Sequence, residues 1–224
     1  MDKIESKKRD SDIEVKLKPL DERILNQYIQ MPNKWFLDEY IDVQTQKEFK
    51  IGFDLKTERI TIPVYDEVGS LVGCSGRATK PEDEEQYKYF PLYNYPKSKI
   101  CYGLYKTYPY IKYKNECIIF EGQKSVQKAW SYEQKNSIAC GQLIPSKDQM
   151  EKILRLNCDL VFNWDTGLKK EEWDNIKEFL NKYKIYTNIY VIYDKWNLLG
   201  EKMSAVDQGK DIWFELYNKK ILIN

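Results

Sequence analysis

Residues 117–122, Cys-Ile-Ile-Phe-Glu-Gly, decide the fold that this sequence predicts. The apolar run ends at a carboxylate followed by a glycine, and the next residues carry apolar side chains at helical spacing. A strand that stops at a turn and enters a helix is half of a βαβ unit. In open α/β sheets the functional groups gather at the carboxyl ends of the strands, so we expect Glu121 to lie in a functional crevice.

The remainder of residues 115–224 alternates between strand and helix patterns. The predicted strands are Cys117–Phe120, Ser137–Cys140, Asp159–Asn163 and Asn188–Tyr193. The predicted helices are Lys124–Gln134, Ser146–Leu156, Leu168–Tyr183 and Ile212–Asn218. Strands separated by helices of this length predict an α/β, Rossmann-like domain with a mainly parallel sheet covered on both faces.

Residues 1–114 follow a different pattern, and we expect a domain boundary near residue 114. Residues 1–18 alternate charges with few apolar positions, which predicts a charged arm or linker. Residues 19–114 predict an α+β subdomain that starts with a helix capped by Asp21 and a short helix at Leu37–Ile41. Three strands are expected next, at Phe49–Asp54, Arg59–Tyr65 and Leu71–Ser75. The acidic segment Pro81–Glu85 predicts a surface loop.

The composition excludes several kinds of chemistry. The 224 residues contain no histidine, so His-based nucleophiles, general bases and metal ligands are excluded, and catalysis must use carboxylates, lysines, arginines or a metal held by oxygen. The five cysteines are scattered without a Cys-x-x-Cys pair, and four lie in or beside apolar runs. This pattern predicts buried reduced thiols, no zinc and a cytoplasmic location. No apolar run reaches the length of a membrane span, so we expect no membrane partner.

Local charge differs strongly from the net charge of +1. Residues 86–115 contain six lysines and no acidic residue, and nine of the 18 tyrosines fall between Tyr87 and Tyr113. A basic segment interleaved with aromatic residues is typical of surfaces that neutralise phosphates and stack unpaired bases. The alternative is that the tyrosines pack half-buried on their own domain and the lysines are solvated charges.

Carboxylates recur where the predicted strands end. Glu121 follows the first strand, Asp165 follows the third, and Asp207 lies in the segment after the fourth. Three acidic groups at one sheet edge repel each other unless a cation lies between them, and hard oxygen ligands select Mg²⁺ or Mn²⁺. Such a site supports nucleotidyl or phosphoryl transfer. The alternative for each residue alone is stabilisation of a nearby helix N-terminus.

Four of these segments, 118–123, 139–141, 161–167 and 204–209, together resemble a TOPRIM domain. More closely, they resemble the TOPRIM half of DnaG-type primases carried by phages and other mobile elements of low-GC Gram-positive bacteria. The resemblance implies metal ligands at Glu121, Asp165 and Asp207, with Asp211 as a further acid. Two departures leave fewer ligands than the family pattern: Gly167 stands where a second aspartate is usual, and Asp207 and Asp211 are four apart with no proline between them.

The resemblance extends into the basic half. Residues 60–65 and 72–77 are similar to the first segment of the primase core, and the family then has a Lys-Tyr pair and a lysine before a Leu-Tyr-like sequence. Lys88-Tyr89 and residues 97–105 match these features. The resemblance therefore implies that template or nucleotide is contacted by Arg77, Lys88, Tyr89, Lys97 and Lys99, with Lys97 also a catalytic residue.

Both matches together imply a minimal DnaG-type primase, without zinc-binding or helicase-binding domains, that makes short RNA primers on single-stranded DNA. Its substrates would be NTPs, its cofactor Mg²⁺ or Mn²⁺, and its partners a replicative helicase or a separate zinc-domain protein. Two alternatives stay open at this point. One is a TOPRIM nuclease, and the other is a catalytically weak protein that binds single-stranded nucleic acid or a replication complex.

Overall fold

The computed structural model describes residues 17–224. The predicted arm, residues 1–18, lies outside the described residues except for its last two positions. Among the described residues, no helix is long and apolar enough to cross a membrane. Two β-sheets and the helices packed on them form the fold, which is a mixed α/β architecture with one antiparallel and one mainly parallel sheet.

The first sheet is antiparallel and has the order β1-β2-β3-β4. Its strands are β1 (Gly52–Asp54), β2 (Arg59–Tyr65), β3 (Leu71–Arg77) and β4 (Tyr89–Tyr93). The helices of this half are α1 (Lys34–Asp38), α2 (Val43–Glu48), α3 (Pro81–Tyr87) and α4 (Leu104–Lys114), with 3-10 helices at Glu22–Gln27 and Lys97–Lys99. The three predicted strands are confirmed, and Asp21 caps the first 3-10 helix as expected.

Two local predictions in this half are wrong. The acidic segment predicted as a loop is helix α3, because Pro81 suits the first helical position and three acidic residues follow in the first turn, where the helix dipole favours them. The helix predicted at Leu37–Ile41 is instead the end of α1. Tyr40 adopts a positive φ of 66° and breaks the helix, and α2 starts again after an Asp42 cap.

The second sheet has the order β6-β5-β7-β8-β9, parallel except for β9. Its strands are β5 (Glu116–Phe120), β6 (Ser137–Ala139), β7 (Asp159–Asn163), β8 (Ile189–Ile192) and β9 (Ile221–Leu222). The helices are α5 (Gln123–Ser131), α6 (Lys147–Leu154), α7 (Lys170–Tyr183) and α8 (Lys210–Asn218), with a 3-10 helix at Ala205–Gln208. Every predicted strand and helix of this region is confirmed, with bounds that differ by a few residues.

Strand β5 is buried on both faces, and its alternating side chains belong to two separate cores. Ile118 and Phe120 pack with α5 and α8 in one hydrophobic cluster, while Cys117 and Ile119 pack with α6 and α7 in the other. All five cysteines are buried and unpaired, so the prediction of buried reduced thiols is confirmed. The first cluster also contains Ile62 of β2 in the antiparallel sheet. One core is therefore shared by both sheets, and it fixes the cleft between them.

Candidate metal and nucleic-acid site

Two of the predicted carboxylates leave the parallel sheet side by side. Strands β5 and β7 are neighbours, with Phe120 in register with Asn163. Glu121 follows β5 directly, and Asp165 follows β7 after one intervening residue. Parallel neighbours in register deliver the residues after their carboxyl ends to the same edge of the sheet, so the apolar runs of these strands place both acids in one crevice.

Hydrogen bonds bring the third carboxylate, Asp207, to the same edge from a distant loop. The backbone N–H of Ala205 donates to Asn163 Oδ1 at 3.2 Å, and that of Thr166 donates to the carbonyl oxygen of Met203 at 3.0 Å. The backbone N–H of Ser204 donates to Asp207 Oδ2 at 2.8 Å. The 3-10 helix that carries Asp207 is thus tied to the segment that carries Asp165.

Glu121, Asp165 and Asp207 line one cleft of about 540 Å³, and Lys88 and Tyr89 line it with them. We call this the carboxylate cleft. Asp211 does not line it, because it lies exposed in the first turn of α8. The fourth acid that the resemblance implied therefore lies outside the group formed by the other three.

Two acids of the carboxylate cleft, Asp165 and Glu121, have raised pKa values. The pKa of Asp165 is raised to about 6, first by burial and then by the negative charges of Asp207 and Glu121, against the opposing effect of Lys88 and Lys128. Burial also raises the pKa of Glu121, with Glu172 contributing and Lys88 opposing. Burial and neighbouring negative charge disfavour the ionised form of both acids, and a bound cation would relieve this.

Carboxylate oxygens are hard donors and suit Mg²⁺ or Mn²⁺. Within residues 17–224, however, no three His, Cys, Asp or Glu side chains are grouped closely enough to hold one ion together. Mg²⁺ commonly keeps several waters and binds through one or two carboxylates plus substrate phosphates. The residues present therefore fit an ion held by Glu121 and Asp165, and they do not form a preformed cage of three carboxylates.

The backbone explains one departure from the TOPRIM pattern. Gly167 lies two residues after Asp165 and has a φ of +81°, in the left-handed region that side-chain-bearing residues rarely adopt. An aspartate at this position would be strained, so the loop after β7 carries only one carboxylate.

Sequence reasoning missed five further charged residues of the cleft, which are Asp38, Glu39, Lys124, Lys128 and Lys202. Lys124 and Lys128 lie one turn apart on α5 and both line the cleft with Glu39, which follows α1. Lys128 Nζ lies 2.6 Å from Asp207 Oδ1 and 3.2 Å from Glu39 Oε2. Lys124 also pairs with Glu39. The four side chains form a continuous chain of alternating charge along one wall, the Lys124–Glu39–Lys128–Asp207 chain.

This wall is desolvated. Burial lowers the pKa of Lys124 to about 8, although Glu39 opposes the shift. Burial acts to raise the pKa of Glu39, but the two lysines outweigh it and the net shift is downward. Only 4% of the Lys128 side chain is exposed. A buried ammonium of this kind keeps its position because breaking a buried pair leaves an uncompensated charge.

The predicted basic residues do not all reach the cleft. Lys88 and Tyr89 line it, and Lys97 lines a smaller adjoining pocket of about 140 Å³ together with Glu121 and Tyr89. Lys97 is held near the acids because buried Gln149 of α6 donates through Nε2 to the carbonyl oxygen of Lys97 at 3.0 Å. Lys99 points elsewhere, with its Nζ 3.9 Å from Asp148 Oδ2.

Arg77, which the resemblance placed among the template or nucleotide contacts, does not line the carboxylate cleft. Only 3% of Arg77 is exposed, and its guanidinium lies against the rings of Trp35 and Tyr89, with its central carbon 4.8 and 5.3 Å from their centroids. It pairs with Glu84 of α3 at 2.5 Å. The acidic segment predicted to be a loop thus supplies the partner of Arg77, whose guanidinium packs against the ring of Tyr89.

Comparison with known proteins identifies two curated relatives. The chain is 30% identical over 249 aligned residues to the SPbeta prophage-derived uncharacterized protein YorJ of Bacillus subtilis. This alignment covers 100% of the chain and 65% of YorJ. The chain is 28% identical over 116 residues to the DNA primase of Halalkalibacterium halodurans. This alignment covers 51% of the chain and 19% of the primase. The chain thus spans less than two thirds of the length of either relative. No protein-family model matches.

Solved structures resemble the chain over most of its length. The zinc-binding and RNA polymerase domains of Aquifex aeolicus primase give a TM-score of 0.72 at 18% identity, over 90% of this chain and 60% of that one. A DnaG primase catalytic domain bound to single-stranded DNA gives a TM-score of 0.70 at 15% identity, over 89% of this chain and 77% of that one. The RNA polymerase domain of Mycobacterium tuberculosis DnaG, in complex with double-stranded DNA carrying a 6-nucleotide overhang, gives a TM-score of 0.66 at 15% identity. The match covers 84% of this chain and 72% of that one.

Proposed function

Because the chain has the fold of the DnaG-type primase catalytic core, we propose that it synthesises short RNA primers on single-stranded DNA by metal-dependent nucleotidyl transfer. The observation that carries this proposal is the carboxylate cleft, in which Glu121, Asp165 and Asp207 face Lys88 and Tyr89. A site for triphosphate chemistry needs acids for a metal and cations for phosphates within one crevice, and this cleft offers both.

Each group of the cleft has a task under this proposal. Glu121 and Asp165 would hold Mg²⁺ or Mn²⁺, which when bound would neutralise charge on the attacking and leaving oxygens. Lys88 and Lys97 are both exposed and line the cleft or its adjoining pocket, so they would bind phosphates of the template or of the incoming NTP. Tyr89, held in place by Arg77, would offer a ring for an unpaired base.

The partners of the whole protein are part of the same proposal. The primase catalytic domain bound to single-stranded DNA supports a DNA template for this chain, and the prophage relative supports a role in a phage or mobile element. NTPs as substrates follow from the proposed reaction. We also propose a replicative helicase or a separate zinc-domain protein as a partner.

The experiment is primer synthesis with labelled NTPs on random single-stranded templates, in Mg²⁺ and in Mn²⁺. We expect product from the wild type and a loss of at least about 100-fold in Asp165→Asn, since one metal carboxylate contributes several kcal/mol to the transition state. Asp174→Asn is the matched control, because it removes an exposed carboxylate of α7 that does not line the cleft. Equal product from both variants and the wild type would refute the assignment.

One observation favours a second candidate, a catalytically weak protein that binds single-stranded nucleic acid. The loop after β7 carries a single carboxylate because of Gly167, and Lys128 already pairs with Asp207. Both features reduce the number of free metal ligands. Binding of labelled single strands without incorporation of any nucleotide, in either metal, would select this candidate over the primase.

A further inference from the structure

The charges of the carboxylate cleft suit one divalent ion better than two. Its lining contains five carboxylates and four lysines, a net charge of −1 when all are ionised. One divalent ion would change this to +1, which attracts a triphosphate. A second ion would raise it to +3, and the cleft lining contains no further carboxylate to offset that charge.

Both oxygens of Asp207 are already engaged. Oδ1 accepts a hydrogen bond from Lys128 Nζ at 2.6 Å, and Oδ2 accepts one from the backbone N–H of Ser204 at 2.8 Å. Lys128 is buried, and Glu39 holds its ammonium from the other side at 3.2 Å. A lysine ammonium is a compact positive charge with three hydrogen-bond donors, so it can lie between two carboxylates and neutralise them as a metal ion does.

We propose that Lys128 takes the place of a second metal ion in this site. Asp207 is then the partner of Lys128 rather than a metal ligand, and a single divalent ion binds at Glu121 and Asp165. Lys128 acts as a positioning residue, because it holds the side chains of Asp207 and Glu39 in place. Lys124 pairs with the same Glu39. This inference rests on the proposed function only for the identity of the ion, since it concerns how many ions the cleft holds.

Two features of the site together lower its number of free metal ligands. Gly167 removes one carboxylate from the loop after β7, and the Lys128–Asp207 pair removes another from the pool of free ligands. A site that has lost the ligands of a second ion needs another positive charge there, because the remaining acids would repel each other. Lys128 supplies that charge without dissociating.

The test is to count Mn²⁺ on the purified chain by electron paramagnetic resonance of the free ion, at pH 8 and without nucleotide. We expect one Mn²⁺ per wild-type chain. Lys128→Met keeps the length of the side chain and removes its charge, and it should bind two. Lys135→Gln is the control, because Lys135 pairs with Glu133 outside the cleft, and it should bind one. Two ions on the wild type, none on the wild type, or one ion on Lys128→Met would each overturn the proposal.

A second variant keeps the test decisive if Lys128→Met does not fold. Asp207→Asn should still bind one Mn²⁺ with an affinity within about threefold of the wild type, because Asp207 is not a ligand. A loss of more than about tenfold would overturn the proposal. Since ion counting requires no primer synthesis, a chain that binds one ion but incorporates no nucleotide would refute the proposed function and leave this inference standing.

Discussion

Replacing Asp165 by asparagine should make the protein more stable while removing its activity. The reason is the pKa of Asp165, which rises from 3.8 to about 6 on folding because the carboxylate is buried beside Asp207 and Glu121. A carboxylate whose pKa is raised by folding destabilises the folded state whenever it is ionised. Asparagine fills nearly the same space and carries no charge, so the variant is relieved of this cost.

The magnitude follows from the shift. About two pKa units at roughly 1.4 kcal/mol each give an upper value of about 3 kcal/mol. Asp165 is only partly buried, and solvent screens part of the repulsion, so we expect about 1 to 2 kcal/mol. The cost is complete at pH values above 6, decreases as the pH falls through 6, and disappears below 3.8, where the side chain is protonated in both folded and unfolded chains.

The assay is urea unfolding of wild type and Asp165→Asn at pH 8, 5 and 4 in the presence of EDTA. The variant should be more stable at pH 8, and the difference should shrink towards zero at pH 4. Asp174→Asn, on the exposed face of α7, should stay within about 0.5 kcal/mol of the wild type at every pH. An Asp165→Asn variant that is less stable at pH 8, or whose advantage does not change with pH, would refute the electrostatic reasoning.

The remaining predictions concern the basic residues and the outlying acid. Lys97→Ala should weaken binding of single-stranded DNA and shift the salt dependence, measured by fluorescence anisotropy, whereas Lys99→Ala should change it little because Lys99 lies towards Asp148. Arg77→Ala should lower stability by about 2 to 4 kcal/mol in urea unfolding, because it leaves Glu84 unpaired and removes the packing under Tyr89. Asp211→Asn should retain wild-type primer synthesis, because Asp211 is exposed and does not line the cleft. A loss of more than about tenfold would contradict this prediction.

The parallel sheet could be predicted from sequence because each of its strands is a short apolar run and each helix has a clear apolar period. Strand β7 matches its predicted bounds, and the position of Asp165 follows from it. Strand β4 was not predicted, because Pro91 interrupts it, and the structure places it at the edge of its sheet, where a proline is tolerated. Helix α4 was missed because Pro109 lies inside it.

Three of the four lysines of the carboxylate cleft, Lys124, Lys128 and Lys202, could not be found from local sequence. Lys128 and Asp207 are 79 residues apart, and only the packing of α5 beside the 3-10 helix of Asp207 brings them together. Arg77 shows the opposite error. It occupies a position that matches the primase pattern, but the helix formed by the acidic segment after it captures its guanidinium. A motif can place a residue near a site without determining where its side chain points.

The cleft belongs to both halves of the chain, and this has a consequence for how it works. Glu39 and Lys88 come from the N-terminal half, whereas Glu121, Asp165 and Lys128 come from the parallel sheet and its helices. The hydrophobic cluster that includes β2 and β5 holds the two sides together. Glu39 pairs with both Lys124 and Lys128 of α5, so the N-terminal half contributes to the charge around the acids of the parallel sheet. Under the proposed function, binding of a metal ion would therefore depend on contacts made across the two sheets, and the charge of the cleft cannot be judged from the parallel sheet alone.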